Sequence, residues 1–212
     1  MKTSNHLWIA GIHTDVGKTV VAGLITRALQ AEYWKPVQAG SLENSDSMRV
    51  HKMLQGTELK VHPEAFRLSQ PMSPHAAAAI DSVHISMDDL QKPATTSPLV
   101  IETAGGIYSP LSDEHTMLDL MLKWPAPIVL VGRHYIGSIN HTLLTLQALE
   151  QRGAHIAGII FSDEPNEMST SFINRKFPKY PVHHIGHLDE HDPSTFATAA
   201  EALSHILPLW IP

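Results

Sequence analysis

The chain has 212 residues, of which 43% are hydrophobic and 17% charged, and its formal net charge is −6. This composition is ordinary for a soluble globular protein with a sizeable core, and the negative charge argues against a nucleic-acid-binding surface. The absence of cysteine excludes disulfides, thiolate metal sites and a cysteine nucleophile. No apolar run approaches the ~18 residues of a membrane span and no secretory signal opens the chain, so we expect a cytoplasmic protein without a membrane partner.

Short apolar runs alternate with segments of helical periodicity. The runs predict strands at 6–11, 33–37, 97–103, 126–132, 155–161 and 180–186. Helices are predicted at 18–29, 44–55, 73–80, 112–123, 138–152, 168–176 and 194–207, with another short helix at 86–90. Strands that are apolar on both faces and alternate with helices indicate one three-layer α/β domain over 1–212, with a mainly parallel sheet flanked by helices on both faces.

The segment GIHTDVGKTV at 11–20 joins the first predicted strand to the first helix. It ends like a phosphate-binding loop but places five residues between Gly11 and Gly17, where the usual pattern has four. The N–H groups at the helix start attract phosphate, and Gly17 allows a close backbone approach. Lys18 adds charge at the β and γ phosphates, and the Thr19 hydroxyl suits Mg²⁺. The strand–loop–helix context favours a nucleotide site over a chance glycine turn.

Two carboxylates and a second lysine are expected near this loop. Glu102 ends an apolar strand and is followed by a small-residue segment, Ala104 to Gly106, which favours close approach of a ligand. Asp46 lies at the first turn of a predicted helix, where capping is the competing role. Lys35 follows the second strand and precedes a proline, although a surface lysine is the alternative. Together these groups are typical of phosphoryl transfer, in which positioning and charge neutralisation dominate catalysis.

Seven motifs in order along the chain resemble the dethiobiotin synthetase family. The motifs are GIHTDVGKT at 11–19, KPVQAG at 35–40, NSDS at 44–47, SPH at 73–75, IETAGG at 101–106, SPLSDE at 109–114 and GSIN at 137–140. The resemblance implies a P-loop NTPase fold. It also implies ATP-dependent carboxylation and cyclisation of diaminopelargonic acid (7,8-diaminononanoate) with CO₂ or bicarbonate, which gives dethiobiotin, ADP and phosphate.

The resemblance also implies site residues. Lys18 and Lys35 would be catalytic, and Mg²⁺ would bind Thr19, Asp46 and Glu102. Nucleotide contacts would come from Asp15, Val16, Gly17, Lys18, Thr19, Val20, Asp46, Glu102, Thr103, Ala104, Gly105, Ser162 and Asp163. Substrate contacts would come from Thr14, Lys35, Ala39, Ser138, Ile139 and Asn140. The last three would offer free N–H groups at a helix start to the distant substrate carboxylate, across a homodimer interface.

Several positions depart from the family pattern. They affect one substrate hydrogen bond, the backbone beside the γ-phosphate and the contacts to the nucleotide base. ATP is therefore the default nucleotide, while the base preference stays open. The positions are Ile12, His13, Ala39, Thr103, Ser162 and Gly186.

Three other functions compete with this one. A related amide ligase would carry a glutamine-hydrolysing domain with a cysteine nucleophile, which this chain lacks. A partitioning ATPase switch would have a lysine early in the loop and a basic or amphipathic tail, whereas the segment ALSHILPLWIP at 202–212 has no lysine or arginine. A catalytically inactive paralogue that only binds nucleotide is also open.

The densest group of the 15 histidines is His183, His184, His187 and His191. The surrounding PVHHIG segment is typical of a strand, on which these side chains would not converge. We therefore interpret the group as structural and not as a metal site.

Overall fold

The computed structural model describes residues 6–190 and 192–211. Seven strands form one parallel sheet in the order β4-β2-β6-β1-β7-β8-β9. These strands are β1 (His6–Gly11), β2 (Glu32–Trp34), β4 (Val61–His62), β6 (Leu99–Gly106), β7 (Ile128–Gly132), β8 (Ile156–Phe161) and β9 (Val182–His184). A separate two-stranded parallel sheet contains β3 (Val37–Ala39) and β5 (Phe66–Leu68).

The described part of the chain has seven α-helices, and a short 3-10 helix at Leu42–Asn44. The α-helices are α1 (Lys18–Ala28), α2 (Asp46–Met53), α3 (Pro74–Ile80), α4 (Met117–Lys123), α5 (Ser138–Gln151), α6 (Glu167–Lys176) and α7 (Pro193–Trp210). Helix α1 packs on α2 and α7, while α5 packs on α6. The central strands β1, β6, β7 and β8 are almost entirely buried, as expected for a parallel sheet covered by helices. The predicted α/β class is confirmed. No helix among the described residues is long and apolar enough to cross a membrane.

The predicted strand at 33–37 is divided at Pro36. Strand β2 ends at Trp34, and β3 begins at Val37 and pairs with β5 outside the main sheet. A proline has no N–H to donate to a ladder, so it cannot continue a central strand. Its carbonyl accepts hydrogen bonds from the N–H groups of Ala65 and Phe66, at the start of β5. The chain therefore changes sheets directly after Lys35.

Two predicted helices are shorter or absent. The helix expected at 112–123 begins only at Met117, because Ser112 forms a turn with His115 and a capping box between Thr116 and Asp119 starts α4. The segment 86–90 is a turn in which the Ser86 hydroxyl accepts from the N–H of Asp88. In both places a serine hydroxyl satisfies nearby N–H groups without a helix.

Other elements also differ from the prediction, and β9 and α2 are each shorter at both ends than predicted. Strands β4 and β5 were not predicted, and each is too short to show periodicity. Strand β6 continues past its expected end at 103 to Gly106, where it pairs with Gly11 after a shift in register. Helix α7 runs to Trp210, beyond the predicted end at 207.

Candidate functional site

An open cleft of about 1140 Å³ lies at the carboxyl ends of the parallel strands. This is the edge at which open α/β sheets bind their ligands. Most of the residues predicted from sequence line it. They are Thr14, Asp15, Gly17, Lys18, Thr19, Val20, Lys35, Ala39, Asp46, Glu102, Ala104, Gly105, Ser162 and Asp163.

The loop between β1 and α1 is fixed at both ends. Its first N–H, from Ile12, donates to the Val131 carbonyl at 3.0 Å, and at its far end Gly17 caps α1 with φ of 85°. A Cβ at Gly17 would lie 2.5 Å from the Cβ of Ser162, at the end of β8. Glycine is therefore required here both by the left-handed backbone and by the contact with Ser162.

Lys18 points back into this loop. Its side chain lies against Gly11, and its Nζ donates to the His13 carbonyl at 3.0 Å. Burial lowers the pKa of Lys18 to about 8, although the negative charge of Glu102 opposes this change. The ammonium is thus poorly solvated and held where an anion in the loop would stabilise it.

Lys35 lies between two carboxylates. Its Nζ donates to Glu102 Oε1 at 3.0 Å and also to Asp46, and the lysine is only 4% exposed. Burial disfavours the charged form, but the two carboxylates outweigh it and raise the pKa of Lys35. Burial likewise opposes ionisation of Asp46, whose pKa is nevertheless lowered by the charge of Lys35 and its hydrogen bond. The cluster therefore keeps a buried positive charge beside ionised Asp46.

The Asp46 side chain does not cap its own helix and is part of this cluster instead. The Ser45 hydroxyl accepts from the Met48 N–H and is the N-cap of α2. The N–H of Asp46 itself donates to the Gln38 side-chain oxygen at 3.2 Å. The capping role that competed for Asp46 in the sequence thus belongs to Ser45, and the Asp46 carboxylate is available to the cleft.

Thr19, Asp46 and Glu102 form a set of oxygen donors suited to a hard divalent cation. The Thr19 hydroxyl lies 2.9 Å from Glu102 Oε1. Neighbouring oxygens in an octahedral magnesium shell are about 2.8 to 3.0 Å apart, since each lies about 2.0 to 2.1 Å from the ion. Among the described residues no three or more histidine, aspartate or glutamate side chains converge as a metal site. A cation here would thus need the Thr19 hydroxyl and other oxygens besides the two carboxylates.

Comparison with known proteins identifies the family. A family model described as an AAA domain matches residues 5–198. The chain is 45% identical to the ATP-dependent dethiobiotin synthetase BioD of Christiangramia forsetii, over 86% of each chain. It is 47% identical to the protein of that name from Chlamydia pneumoniae, over 75% of this chain and 71% of that one. The chain belongs to the ATP-dependent dethiobiotin synthetase family. The resemblance seen in the motifs is confirmed.

A solved structure supports the fold independently of sequence. The pNOB8 ParA protein bound to nonspecific DNA aligns over 96% of both chains with a TM-score of 0.56. The two sequences are only 11% identical, so the similarity concerns the fold alone.

Some predicted site residues of this dethiobiotin synthetase family member lie away from the cleft wall. The side chains of Val16 and Thr103 are buried in the interior, at 1% and 0% exposure. Ser138, Ile139 and Asn140 begin α5, which lies outside the cleft in the single chain.

One part of the prediction for the α5 start is wrong. The N–H of Ser138 is not free, because it donates to the Tyr135 carbonyl at 2.9 Å in the turn before the helix. The described residues show no acceptor for the N–H groups of Ile139 and Asn140. The anion-binding capacity of this helix start thus rests on those two groups.

Two side chains that contact the lysine and carboxylate cluster were not predicted, Tyr33 and Arg49. The Tyr33 hydroxyl donates to Glu102 Oε2 at 2.7 Å, and burial together with Glu102 raises its pKa well above 10. Arg49 forms a paired contact with Glu190, with nitrogen–oxygen distances of 2.7 and 3.2 Å, and also reaches Asp46. Tyr33 lies two residues before Lys35 and Arg49 three residues after Asp46, but their contacts with Glu102 and Glu190 join segments far apart in the chain, which spacing does not reveal.

The other end of the cleft is formed by the segments that follow β8 and β9. Ser162 and Asp163 face Ile185, His187 and Leu188 across it. The carboxylate of Asp163 accepts from the His134 N–H at 2.6 Å and is thereby tied to the end of β7. Of the predicted histidine group, His184 stacks on Phe161 and His134, while His191 lies outside the described residues.

Proposed function

We propose that this protein catalyses the ATP-dependent carboxylation and ring closure of diaminopelargonic acid to dethiobiotin, a late step of biotin biosynthesis. The observation that carries the proposal is Lys35 between Asp46 and Glu102, beside the phosphate-binding loop. Relatives named ATP-dependent dethiobiotin synthetase match most of the chain. The enzyme is accordingly an ATP-dependent ligase.

The reaction joins three components in sequence. One amine of the substrate adds to CO₂ and loses a proton, which gives a carbamate. A carbamate oxygen then attacks the γ-phosphorus of ATP, and ADP leaves. The second amine attacks the carbonyl carbon of the mixed anhydride, phosphate leaves, and a proton is released as the cyclic urea closes.

In this proposal the two lysines, Lys18 and Lys35, stabilise the negative charge of the phosphate groups during phosphoryl transfer. Lys18 moves from the His13 carbonyl to the β and γ phosphates, where its full charge is restored. Lys35 stabilises the negative charge that spreads over the transferred group and the carbamate, since it remains protonated in the buried cluster. Thr14, Lys35 and Ala39 line the adjoining part of the cleft and would contact the diamine.

Thr19, Asp46 and Glu102 would hold Mg²⁺. The ion supplies charge neutralisation at the β and γ phosphates when it is bound with ATP. The nucleotide would lie along Asp15 to Val20 and Ala104 to Gly105, and its base would lie between Ser162, Asp163 and the segment after β9. Ser162 has only a short hydroxyl to offer a base, so we take ATP as the default nucleotide and test the alternatives directly.

A homodimer completes the substrate site in this proposal. The start of α5, where Ile139 and Asn140 have unaccepted N–H groups, would bind the distant carboxylate of a substrate in the partner's cleft. Ile136, in the turn before this helix, is fully exposed in the single chain, which suits a face covered by a second copy. The proposal includes no nucleic-acid or membrane partner and places the reaction in the cytoplasm, where ATP is supplied.

Phosphate release tests the proposal. The assay contains ATP, Mg²⁺ and bicarbonate, with and without diaminopelargonic acid, and is repeated with CTP and GTP. Release that requires both the diamine and bicarbonate supports the ligase, and the nucleotide series reports the base preference. Absence of diamine-dependent release with every nucleotide would leave a nucleotide switch or an inactive paralogue.

A further inference from the structure

Tyr33 is a buried polar residue that the reaction described above does not use. It lies on β2, opposite Val100 of the neighbouring strand β6, and is 0% exposed. Alternate residues of a strand share a face, so Val100 and Glu102 point the same way. The tyrosine ring extends along β6 by two residues, and its hydroxyl donates to Glu102 Oε2 at 2.7 Å.

Because of this hydrogen bond, the two carboxylate oxygens of Glu102 have different partners. Oε1 accepts from the Thr19 hydroxyl at 2.9 Å and from Lys35 at 3.0 Å. Oε2 accepts from Tyr33. The terminal torsion of a glutamate is broad, so the plane of its carboxylate is set by its hydrogen bonds. Without Tyr33, Oε2 would have to find another donor, and the plane could turn.

We propose that Tyr33 is a positioning residue that orients the Glu102 carboxylate, so that Oε1 alone faces the cation position beside Thr19. This inference rests on the metal role given to Glu102 in the proposed function. Hydrogen-bond partners of ligating carboxylates orient those ligands, and their removal commonly weakens metal binding by about 10- to 100-fold. Tyr33 touches neither nucleotide nor substrate positions and acts only through Glu102.

The test compares Tyr33→Phe with Tyr180→Phe. Tyr180 also donates its hydroxyl to a carboxylate, Glu150 Oε1 at 2.9 Å, but far from the cleft, so the two changes remove the same kind of bond. Mn²⁺ affinity is measured by electron paramagnetic resonance in the presence of a non-hydrolysable ATP analogue. We expect about 10-fold weaker Mn²⁺ binding in Tyr33→Phe and no change in Tyr180→Phe.

If Tyr33 had a purely structural role, Tyr33→Phe would weaken ADP binding even without a cation. ADP affinity measured in EDTA should be the same in Tyr33→Phe and the wild type, because the effect passes through the cation. Unchanged Mn²⁺ affinity in Tyr33→Phe, or an equal loss of metal-free ADP binding, overturns the proposal.

Glu102→Gln separates this inference from the proposed function. If Glu102→Gln weakens Mn²⁺ binding and Tyr33→Phe does not, the metal role of Glu102 stands and the positioning role of Tyr33 fails. If Glu102→Gln leaves Mn²⁺ binding unchanged, both fail.

A measurement on the wild type covers the case in which Tyr33→Phe does not fold. The chain has four tyrosines, so fluorotyrosine labelling gives four ¹⁹F resonances, and phenylalanine variants at Tyr108, Tyr135 and Tyr180 assign Tyr33 by elimination. We expect the Tyr33 resonance to shift when Mg²⁺ is added to the nucleotide complex. A resonance that does not respond to Mg²⁺ overturns the proposal.

Discussion

Lys18 shows how one buried side chain couples proton binding to ligand binding. Its pKa falls from 10.5 to about 8 on folding, because burial removes solvent from the ammonium. Between these values the unfolded chain holds more protons than the folded one. The contribution of Lys18 to the free energy of unfolding is therefore least favourable below pH 8 and improves as the pH rises towards 10.5.

Nucleotide binding should reverse this change. Phosphate favours the charged lysine, so at pH 8 we expect binding of an ATP analogue to take up about half a proton. Isothermal titration calorimetry in buffers of different ionisation enthalpy measures this uptake. Lys18→Arg keeps the charge at all working pH values and should show none. Equal proton uptake by Lys18→Arg and the wild type would assign it to another group.

Lys35 gives a second prediction at this scale. Lys35→Ala should lower kcat by at least about 100-fold, because the charge that stabilises the transition state is lost. Nucleotide affinity should change little, since the phosphate-binding loop is untouched. The matched control is Lys52→Ala, which removes an exposed lysine of α2 bonded to Asn44. Normal dethiobiotin formation by Lys35→Ala would show that Lys35 is not a catalytic residue.

The sequence identified those site residues that lie in motifs with a known geometry. Lys18, Thr19, Asp46 and Glu102 were predicted, and all four line the cleft. Tyr33 was not predicted, because its role depends on the register between β2 and β6, which are far apart in the chain. Arg49 was missed for a similar reason, since its partner Glu190 lies on a distant segment.

At the scale of elements, the loop before α1 is positioned by the end of β8. The contact between Gly17 and Ser162 joins these two segments with almost no space between them. The loop conformation thus depends on a strand whose own sequence carries no phosphate-binding motif. A side chain added at Gly17 should therefore have an effect that the same substitution does not have at a glycine with similar backbone angles but no such contact.

Gly17→Ala should reduce nucleotide affinity on the order of 100-fold, because the new Cβ displaces the loop. Gly56→Ala is the matched control, since its φ is +82° against +85° at Gly17 but nothing lies within 4 Å of its Cβ position. The left-handed backbone should cost about 1 kcal/mol of stability in both variants, and the contact with Ser162 should add to the loss in Gly17→Ala, as measured by urea unfolding. Addition of Ser162→Gly should recover part of the lost affinity. Equal nucleotide affinity in Gly17→Ala and Gly56→Ala would refute the steric argument.

The elements themselves were predictable in proportion to their length. All six runs predicted as strands contribute to the main sheet, and most of them are buried apolar runs, although the edge strand β9 is only half-buried. The errors fall where local polar groups or one proline decide the path, as at Pro36 and Ser112. The two-residue strand β4 and the three-residue strand β5 carry no pattern of their own and form only because a neighbouring strand is present.

At the scale of the whole molecule, the cleft is built by two halves of the sheet. Lys35 after β2, Glu102 of β6 and Asp46 of α2 form the lysine and carboxylate cluster on one side of β1. The segments after β8 and β9, on the other side, form the end of the cleft proposed for the nucleotide base. The contact between Ser162 and Gly17 links this end of the cleft to the phosphate-binding loop, whereas the lysine and carboxylate cluster lies on the other side of β1.

Mixed dimers test whether each site takes residues from two chains. Lys35→Ala inactivates one chain's cleft, and Asn140→Asp would repel a substrate carboxylate at the α5 start while favouring the helix. Each variant alone should be inactive. After the two are unfolded and refolded together, we expect about a quarter of wild-type activity, since half of the dimers are mixed and each has one intact site. No recovery, with mixed dimers shown by native mass spectrometry, would place the α5 start outside the partner's site.

The central position of β1 has a consequence for synthesis of the protein. Its two neighbours in the sheet are β6 and β7, which begin at Leu99 and Ile128. At 5–20 residues per second, the ribosome needs roughly 5–20 s after making β1 to deliver the first of them. During that time an apolar strand containing Trp8 and Ile9 has no partner on either edge. The nascent chain is therefore most vulnerable to aggregation before residue 99 is made, and slower translation over this stretch should lower the yield of folded protein.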